Sequence, residues 1–404
     1  LKFLFAWRYF KAKKSTNAIN IISWVSVSAI ILGTAALIVL LSVFNGLEDL
    51  VRSLYSSFYT DLKISPASGK FIRVPYTSLL KLKQIDGVVG YSLTIEDQAL
   101  LQYNSLQPVM LKGVDDNFKN INGVSKNILK GNYQIGTPDH PAAILGSGIE
   151  YSLNIESDRA IAPMTVYLFR NGGINPADPG SAVHSEAIVS SGSFKIQEDF
   201  DNHYVITNLG FMQRMLGLDS NQYGAIEIAT RDGSVSKELK SKLQSLFGNG
   251  FLVRTRDEQN QTLFGTMKME KWVIYIILTL ILIVAAFNIV GALTMLVLEK
   301  KKDIQVLKAI GADNRFIQLI FLNEGILLGI LGGGMGFVLA ILLCWMQVNL
   351  KLVPLQGNFL IDYYPVKLIP GDFILVGSTI LIVVLLASWI PARKASLQPF
   401  ELKT

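Results

Sequence analysis

Four long runs without a charged residue stand out along the chain, at 21–44, 272–298, 325–348 and 373–390. Each is long enough for a helix rising about 1.5 Å per residue to cross a hydrocarbon core about 30 Å thick. A charge at the centre of such a helix costs roughly 2.5–3.5 kcal/mol, and all four runs avoid one. The first run is too long for a signal peptide and has no clean small-residue cleavage site. Between the first and second runs the periodicity changes. Stretches 88–93, 109–114, 165–169, 186–194, 225–229 and 251–253 read as strands. Stretches 77–83, 209–216 and 235–247 read as helices, the last placing Val235, Leu239, Leu243 and Leu246 on one face. The pattern predicts a membrane protein of four transmembrane α-helices, with a large extracytoplasmic α+β domain at 45–271, in one or two subdomains, inserted between the first and second.

Composition fits this division. Of 404 residues, half are hydrophobic and 17% charged, with a mean hydropathy of +0.38, too apolar for a disordered chain. The net charge of +6 is unevenly placed. Segment 1–20 carries Lys2, Arg8, Lys11, Lys13 and Lys14 without an acid. Loop 299–315 carries Lys300, Lys301, Lys302, Lys308 and Arg315, and tail 391–404 carries Arg393, Lys394 and Lys403. Loop 349–372 has only Lys351 and Lys367, and 45–271 is nearly neutral. The positive-inside rule puts both termini and loop 299–315 in the cytoplasm and 45–271 outside. The basic excess is thus an orientation signal, and no nucleic-acid partner is expected. Phe3, Trp7 and Phe10 interleave with the first basic cluster, as in an amphipathic helix at the inner membrane surface or a cytoplasmic extension of the first span.

No catalytic constellation accompanies this architecture. The chain has one cysteine, Cys344, and three histidines, and it lacks G-x-S-x-G and H-E-x-x-H spacings. Asp199, Asp201 and His203 read as a solvated turn, and Asp115-Asp116 as a turn or cap. The glycines at 332–336 are not followed by the Lys-Ser/Thr of a phosphate loop. Gly325, Gly329 and Gly333, four apart, read instead as a close helix–helix contact. The chain is expected to bind no cofactor and no metal, so any ATP must be bound elsewhere. The segment from Arg170, Asn171, Gly172 and Gly173 through Pro176 and Pro179 to His184 is too rich in turn formers for a central strand. It reads as a projecting functional loop or a disordered one. In loop 299–315, Ile304, Leu307, Ile310 and the nearby Val306 form an apolar stripe with Lys and Asp opposite, and Gly311 before Ala312 is placed to end the helix. Such a helix docks into a partner's groove or lies on lipid.

Several stretches together resemble a known family: SWVS at 23–26, LSVFNG at 41–46, LKGVD at 111–115, LG at 145–146 and FGTMKMEK at 264–271. VAAFNIV at 284–290, LEKKKDI at 298–304, LKAIGA at 307–312 and IPARKASLQP at 390–399 complete the set. The chain is similar to the lipoprotein-releasing (Lol) permeases within the FtsX/MacB-like class of ABC transporter permeases. The resemblance implies a multi-pass protein of the bacterial inner membrane. It implies a second permease chain, identical or paralogous, and two copies of a separate cytoplasmic ATPase that holds ATP and Mg. The helix at 299–312 would couple to that ATPase through Asp303, Ile304, Leu307, Lys308, Ile310, Gly311 and Ala312. Lipoproteins would be extracted and passed to a periplasmic carrier, which in this family meets a loop corresponding to 170–184. MacB-like export and FtsX-like signalling to a cell-wall hydrolase are alternative uses of the architecture. Val43, Phe44 and Leu47 at the end of the first span, with Phe264 and Met267 before the second, suit a lateral entrance for acyl chains. They suit interfacial anchors equally well.

Overall fold

The computed structural model describes residues 17–159, 163–169, 183–231, 233, 235–355 and 363–398. The expected amphipathic stretch lies outside these residues up to position 16. The chain divides into two compact units, one made of 1–50 with 265–404 and the other of 51–264.

Helix α1 (Asn17–Ser56) continues well past residue 44, because Leu47, Leu50, Val51 and Leu54 keep a helical apolar spacing and no proline intervenes. Then follow β1 (Leu62–Pro66), β2 (Ile72–Arg73), α2 (Tyr76–Lys83), β3 (Val88–Gln102), β4 (Leu106–Val114), α3 (Phe118–Ile121), β5 (Ile128–Gly131), β6 (Ala142–Gly146) and α4 (Ser147–Leu153). The domain continues with β7 (Met164–Phe169), β8 (Val183–Phe194), α5 (Glu198–Asp201), β9 (Tyr204–Asn208), α6 (Leu209–Leu216), β10 (Gln222–Tyr223), β11 (Ala225–Thr230), α7 (Lys237–Phe247), β12 (Phe251–Thr255) and α8 (Arg256–Gln259).

Strand β3 organises this unit. One edge pairs with β4 from Thr94↔Val114 to Gln102↔Leu106. The other edge is shared: β11 takes the 88–94 half and β7 the 99–102 end. The pairings β3-β4-β9-β6-β8-β7 return to β3 and close a six-stranded ring. Ile95, Leu101, Leu111, Leu145, Val166, Leu168 and Val205 fill it, together with Phe211, Met212 and Met215 of α6. The Asn208 side chain caps α6 by accepting from the Gly210 and Phe211 amides at 2.9 and 3.3 Å, and Gly217 ends it with φ 66°. The remaining branch, β11-β1-β12, carries α2 and α7 on a second core of Leu62, Ile64, Leu79, Leu82, Ile226 and Leu243. The unit therefore has two lobes that share β3.

The other unit holds helices α9 (Gln261–Glu299), α10 (Lys301–Ala309), α11 (Asn314–Leu350) and α12 (Pro370–Ser396), together with most of α1. Helices α1, α9, α11 and α12 are long and apolar enough to cross a membrane. Their shared core includes Leu37, Ile38, Leu41, Ile289, Leu293, Phe321 and Val384. Helix α9 starts eleven residues ahead of its apolar run, at Gln261 rather than 272.

Candidate coupling and packing sites

The short helix α10 is joined tightly to its neighbours. Gly311 adopts φ 98°, Ala312 N donates to Leu307 O at 3.0 Å, and Asp313 caps α11 through Phe316 N at 2.8 Å. The turn between α10 and α11 thus has no slack residue. Asp303 pairs with Lys300 at 3.3 Å. Ile304 is only 2% exposed and belongs to the same core as Ile317, Phe321, Ala392 and Ala395. This corrects the expectation that Ile304 faces a partner, since its side chain is consumed by the bundle. Leu307 is half-buried, whereas Val306 and Ile310 are 58% and 78% exposed, so the free apolar face belongs to them. The Lys308 ammonium turns to the end of α12, donating to Ser396 O and Gln398 O at 2.9 and 2.6 Å.

The glycines of α11 sit on two faces. A Cβ at Gly325 would collide with Ser388, and one at Gly329 would lie 2.8 Å from Val384, both on α12. At Gly333 the nearest atom, on Ile380, would be at an ordinary 3.4 Å. Two glycines outside that row, Gly332 and Gly336, face α1 instead, where a Cβ would come 2.8 Å from Ile30 and 2.6 Å from Thr34. Both rows keep a spacing of four, so spacing alone does not say which neighbour each row meets. Between α9 and α12 runs an apolar groove of about 390 Å3, lined by Ala286, Phe287, Val290, Val383, Leu386 and Ile390.

The residues expected at a lateral entrance are not equivalent. Val43, Phe44, Leu47 and Met267 are half-buried in the membrane unit. Phe264 is 6% exposed in the α+β unit, set edge-on to Tyr55 with the Arg52 guanidinium 5.1 Å over its ring. It is a core residue there and offers no open face. Of the stretch expected to meet a carrier, Arg170, Asn171, Gly172, Gly173, Pro176 and Pro179 lie outside the described residues. His184 is corrected from loop to strand: it pairs opposite Leu168 on β8.

Sequence reading missed a buried charge cluster where the two lobes share β3. The Lys112 ammonium, 1% exposed, lies 2.6 Å from Glu227 and 2.8 Å from Glu96. Lys63 donates to Glu96 at 3.2 Å, and Phe58 and Phe118 place ring faces 5.0 and 4.9 Å from Lys112. Burial acts to lower the Lys112 pKa, but the two glutamates outweigh it and hold the ammonium above the ordinary lysine range. Burial likewise works to raise Glu96, but Lys112 and Lys63 outweigh it and keep the carboxyl well below the usual range. The only signal in the sequence is a lysine at an inward position of a strand.

Comparison with known proteins agrees with this architecture. Residues 23–246 match the MacB-like periplasmic core domain, and residues 275–399 match the C-terminal region of FtsX-like permeases. The lipoprotein-releasing system transmembrane protein LolC of Neisseria meningitidis is 28% identical, over 98% of this chain and 98% of its own length. LolE of Haemophilus influenzae is 26% identical, over 99% and 98%. The crystal structure of the periplasmic region of MacB from Actinobacillus actinomycetemcomitans matches 52% of this chain and 94% of its own, at 13% identity and a TM-score of 0.35. The four apolar helices and the periplasmic α+β domain between the first two are thus those of a bacterial inner-membrane ABC permease, and the chain belongs to the FtsX/MacB-like class as a LolC/LolE-like member.

Proposed function

We propose that this permease, with a second permease chain and two copies of a separate ATPase that binds ATP and Mg, extracts lipoproteins from the inner membrane. The released lipoprotein passes to a periplasmic carrier. The observation that carries this reading is relatedness along nearly the whole chain to lipoprotein-releasing transmembrane proteins, periplasmic domain included. Each buried CH2 of an acyl anchor is worth about 0.8 kcal/mol, so a multi-chain anchor needs an energy source to leave. Val43, Phe44, Leu47 and Met267 supply adaptable apolar surface for such chains. Docking of the ATPase falls to Val306 and Ile310 of α10, with both termini on the ATPase side.

The test is purification of the tagged permease from its own membranes, followed by mass spectrometry and by ATP-driven release from proteoliposomes. A co-purifying ATPase, an acylated protein and ATP-dependent release into solution support the reading. A complex that instead brings down an outer-membrane channel or a cell-wall hydrolase, without acylated protein, overturns it in favour of export or signalling.

A further inference from the structure

At the periplasmic end of the membrane unit, three helices meet on one carboxamide. Asn45 of α1 accepts from Lys271 Nζ of α9 at 2.6 Å through Oδ1. Its Nδ2 donates to Asp372 Oδ2 of α12 at 2.6 Å and to Lys367 O at 3.3 Å. Lys271 and Asp372 stand 3.7 Å apart, and Asn45 and Asp372 are 3% and 8% exposed. The segment before α12 lies along α1: Lys367 N donates to Ser42 O at 2.9 Å, Lys367 Nζ pairs with Asp49 at 2.6 Å, and a Cβ at Gly46 would strike the Pro365 carbonyl. At its other end α12 is held by Lys308, and its Ala392 and Ala395 belong to the same core as Ile304. A cation on the last carbonyls of a helix is favourable in its own right.

Helix α12 is thus fastened at one end to α10 and at the other to α1 and α9, the two helices whose chain leads into the periplasmic domain. Helix α9 runs directly into α10 in sequence but is the least buried of the four spans, so it has little packing through which to carry a load. We infer that α12 is the strut that carries displacement of α10 to α1 and α9, and that Asn45, Lys271 and Asp372 are the positioning residues that latch its periplasmic end. The inference rests on the ABC-permease reading and, for its transport arm, on lipoprotein release. The carboxamide makes the latch reversible in sign. If the acid and base exchange places, the Asn45 amide serves both again after a 180° flip, offering NH2 where it offered C=O and giving up its 3.3 Å bond to Lys367 O.

The experiment uses the permease–ATPase complex in lipid nanodiscs. Asp372→Asn and Lys271→Met are each expected to leave complex assembly and basal ATP hydrolysis within about twofold of wild type. Lipoprotein released per ATP falls about tenfold, in the range of site-to-site coupling energies. The exchanged pair, Lys271→Asp with Asp372→Lys, restores it to within about threefold, which loss of fold stability alone would not do. Spin labels at Leu40→Cys and Leu368→Cys, both exposed sites, supply an arm that needs no lipoprotein, since the native Cys344 is buried. Their separation stays constant through the ATP cycle in the wild type and in the exchanged pair, and broadens in each single variant. Unchanged separation in the single variants, or an exchanged pair no better than they are, overturns the latch. A wild type that keeps the label behaviour but releases no lipoprotein overturns the proposed substrate instead.

Discussion

Replacing Lys112 by methionine removes one charge from the interior of the periplasmic domain and strands another. The Glu227 carboxylate, with 2% of its side chain exposed, keeps the Thr94 hydroxyl at 3.2 Å and the Thr60 hydroxyl at 3.5 Å but, among the described residues, no cation. Glu96 keeps Lys63 and is partly open to solvent, so its loss is the smaller one. Removing one partner of a buried ion pair costs about 3–5 kcal/mol. Protonation sets a ceiling: an ordinary glutamate takes up a proton at pH 7 for about 3.7 kcal/mol, from about 2.7 units at 1.36 kcal/mol each. At pH 5 the same escape costs only about 1 kcal/mol. Lys112→Met should therefore destabilise the domain by about 3–4 kcal/mol at pH 7 and by much less at pH 5. Methionine retains the apolar contact with Phe58 and Phe118, which adds little to either figure.

The wild type carries the opposite signs at the two ends of the scale. Glu96 is depressed in the folded state, so its contribution is complete above the ordinary glutamate value and lost as pH falls through the folded one. Lys112 is raised, so its contribution is complete below the ordinary lysine value and lost only as pH climbs through the folded one. The network is intact through neutral pH, and acid rather than mild alkali dissolves it. Urea titration of the full chain in detergent, read by pulse proteolysis of the periplasmic domain at pH 7 and pH 5, measures both effects. A loss under about 1 kcal/mol at pH 7, or equal losses at the two pH values, would show that Lys112 is not balancing a buried charge. Lys112→Met with Glu227→Leu should recover most of the loss, because apolar replacement of a whole buried pair is near neutral.

Three further outcomes follow from the membrane unit. Gly329→Ala forces a Cβ to 2.8 Å from Val384 and should lower stability by about 1–3 kcal/mol, whereas Gly333→Ala meets Ile380 at 3.4 Å and should be neutral or slightly stabilising; thermal melts in detergent separate them. Gly46→Ala should lower the melting temperature more than either, because the obstacle is the backbone carbonyl of Pro365 rather than a side chain. Val306→Asp with Ile310→Asp should abolish ATPase recruitment in a pull-down while the permease melts as wild type, and Ile304→Asp should unfold the bundle itself; the reverse pattern would return docking to Ile304.

What was legible in the sequence is what repeats. Long uncharged runs mark the four spans because hydrocarbon tolerates nothing else. Alternation found the cores of β3, β4, β7, β8, β11 and β12, and amphipathic spacing found α2, α6 and α7. Strands β6 and β9 escaped because both faces are covered: Ala142–Gly146 and Val205–Thr207 are buried throughout, so no polar alternation marks them. The extensions of α1 and α9 escaped because helix continuity is a local property while span length belongs to the membrane.

The misplaced residues share one cause. Ile304 and Val306 have similar hydrophobicity two positions apart, and periodicity cannot say which side of a short helix meets the bundle; the core that Ile304 shares with Ile317, Phe321, Ala392 and Ala395 decides it. The same holds for Phe264, claimed by Tyr55 and Arg52 more than two hundred residues away. Asn45, Lys271 and Asp372 read individually as ordinary polar residues flanking apolar runs. Their meaning is the convergence of three helix ends on one carboxamide, where both faces of the amide are used and the charges on either side balance. Such a site has no local signature, because each residue contributes one ordinary bond. It is confined to the ends of the spans, where a buried charge pair can be held without crossing the hydrocarbon. That position lets α12 be fixed at both ends by polar contacts, while its length is free to pack on the glycines of α11.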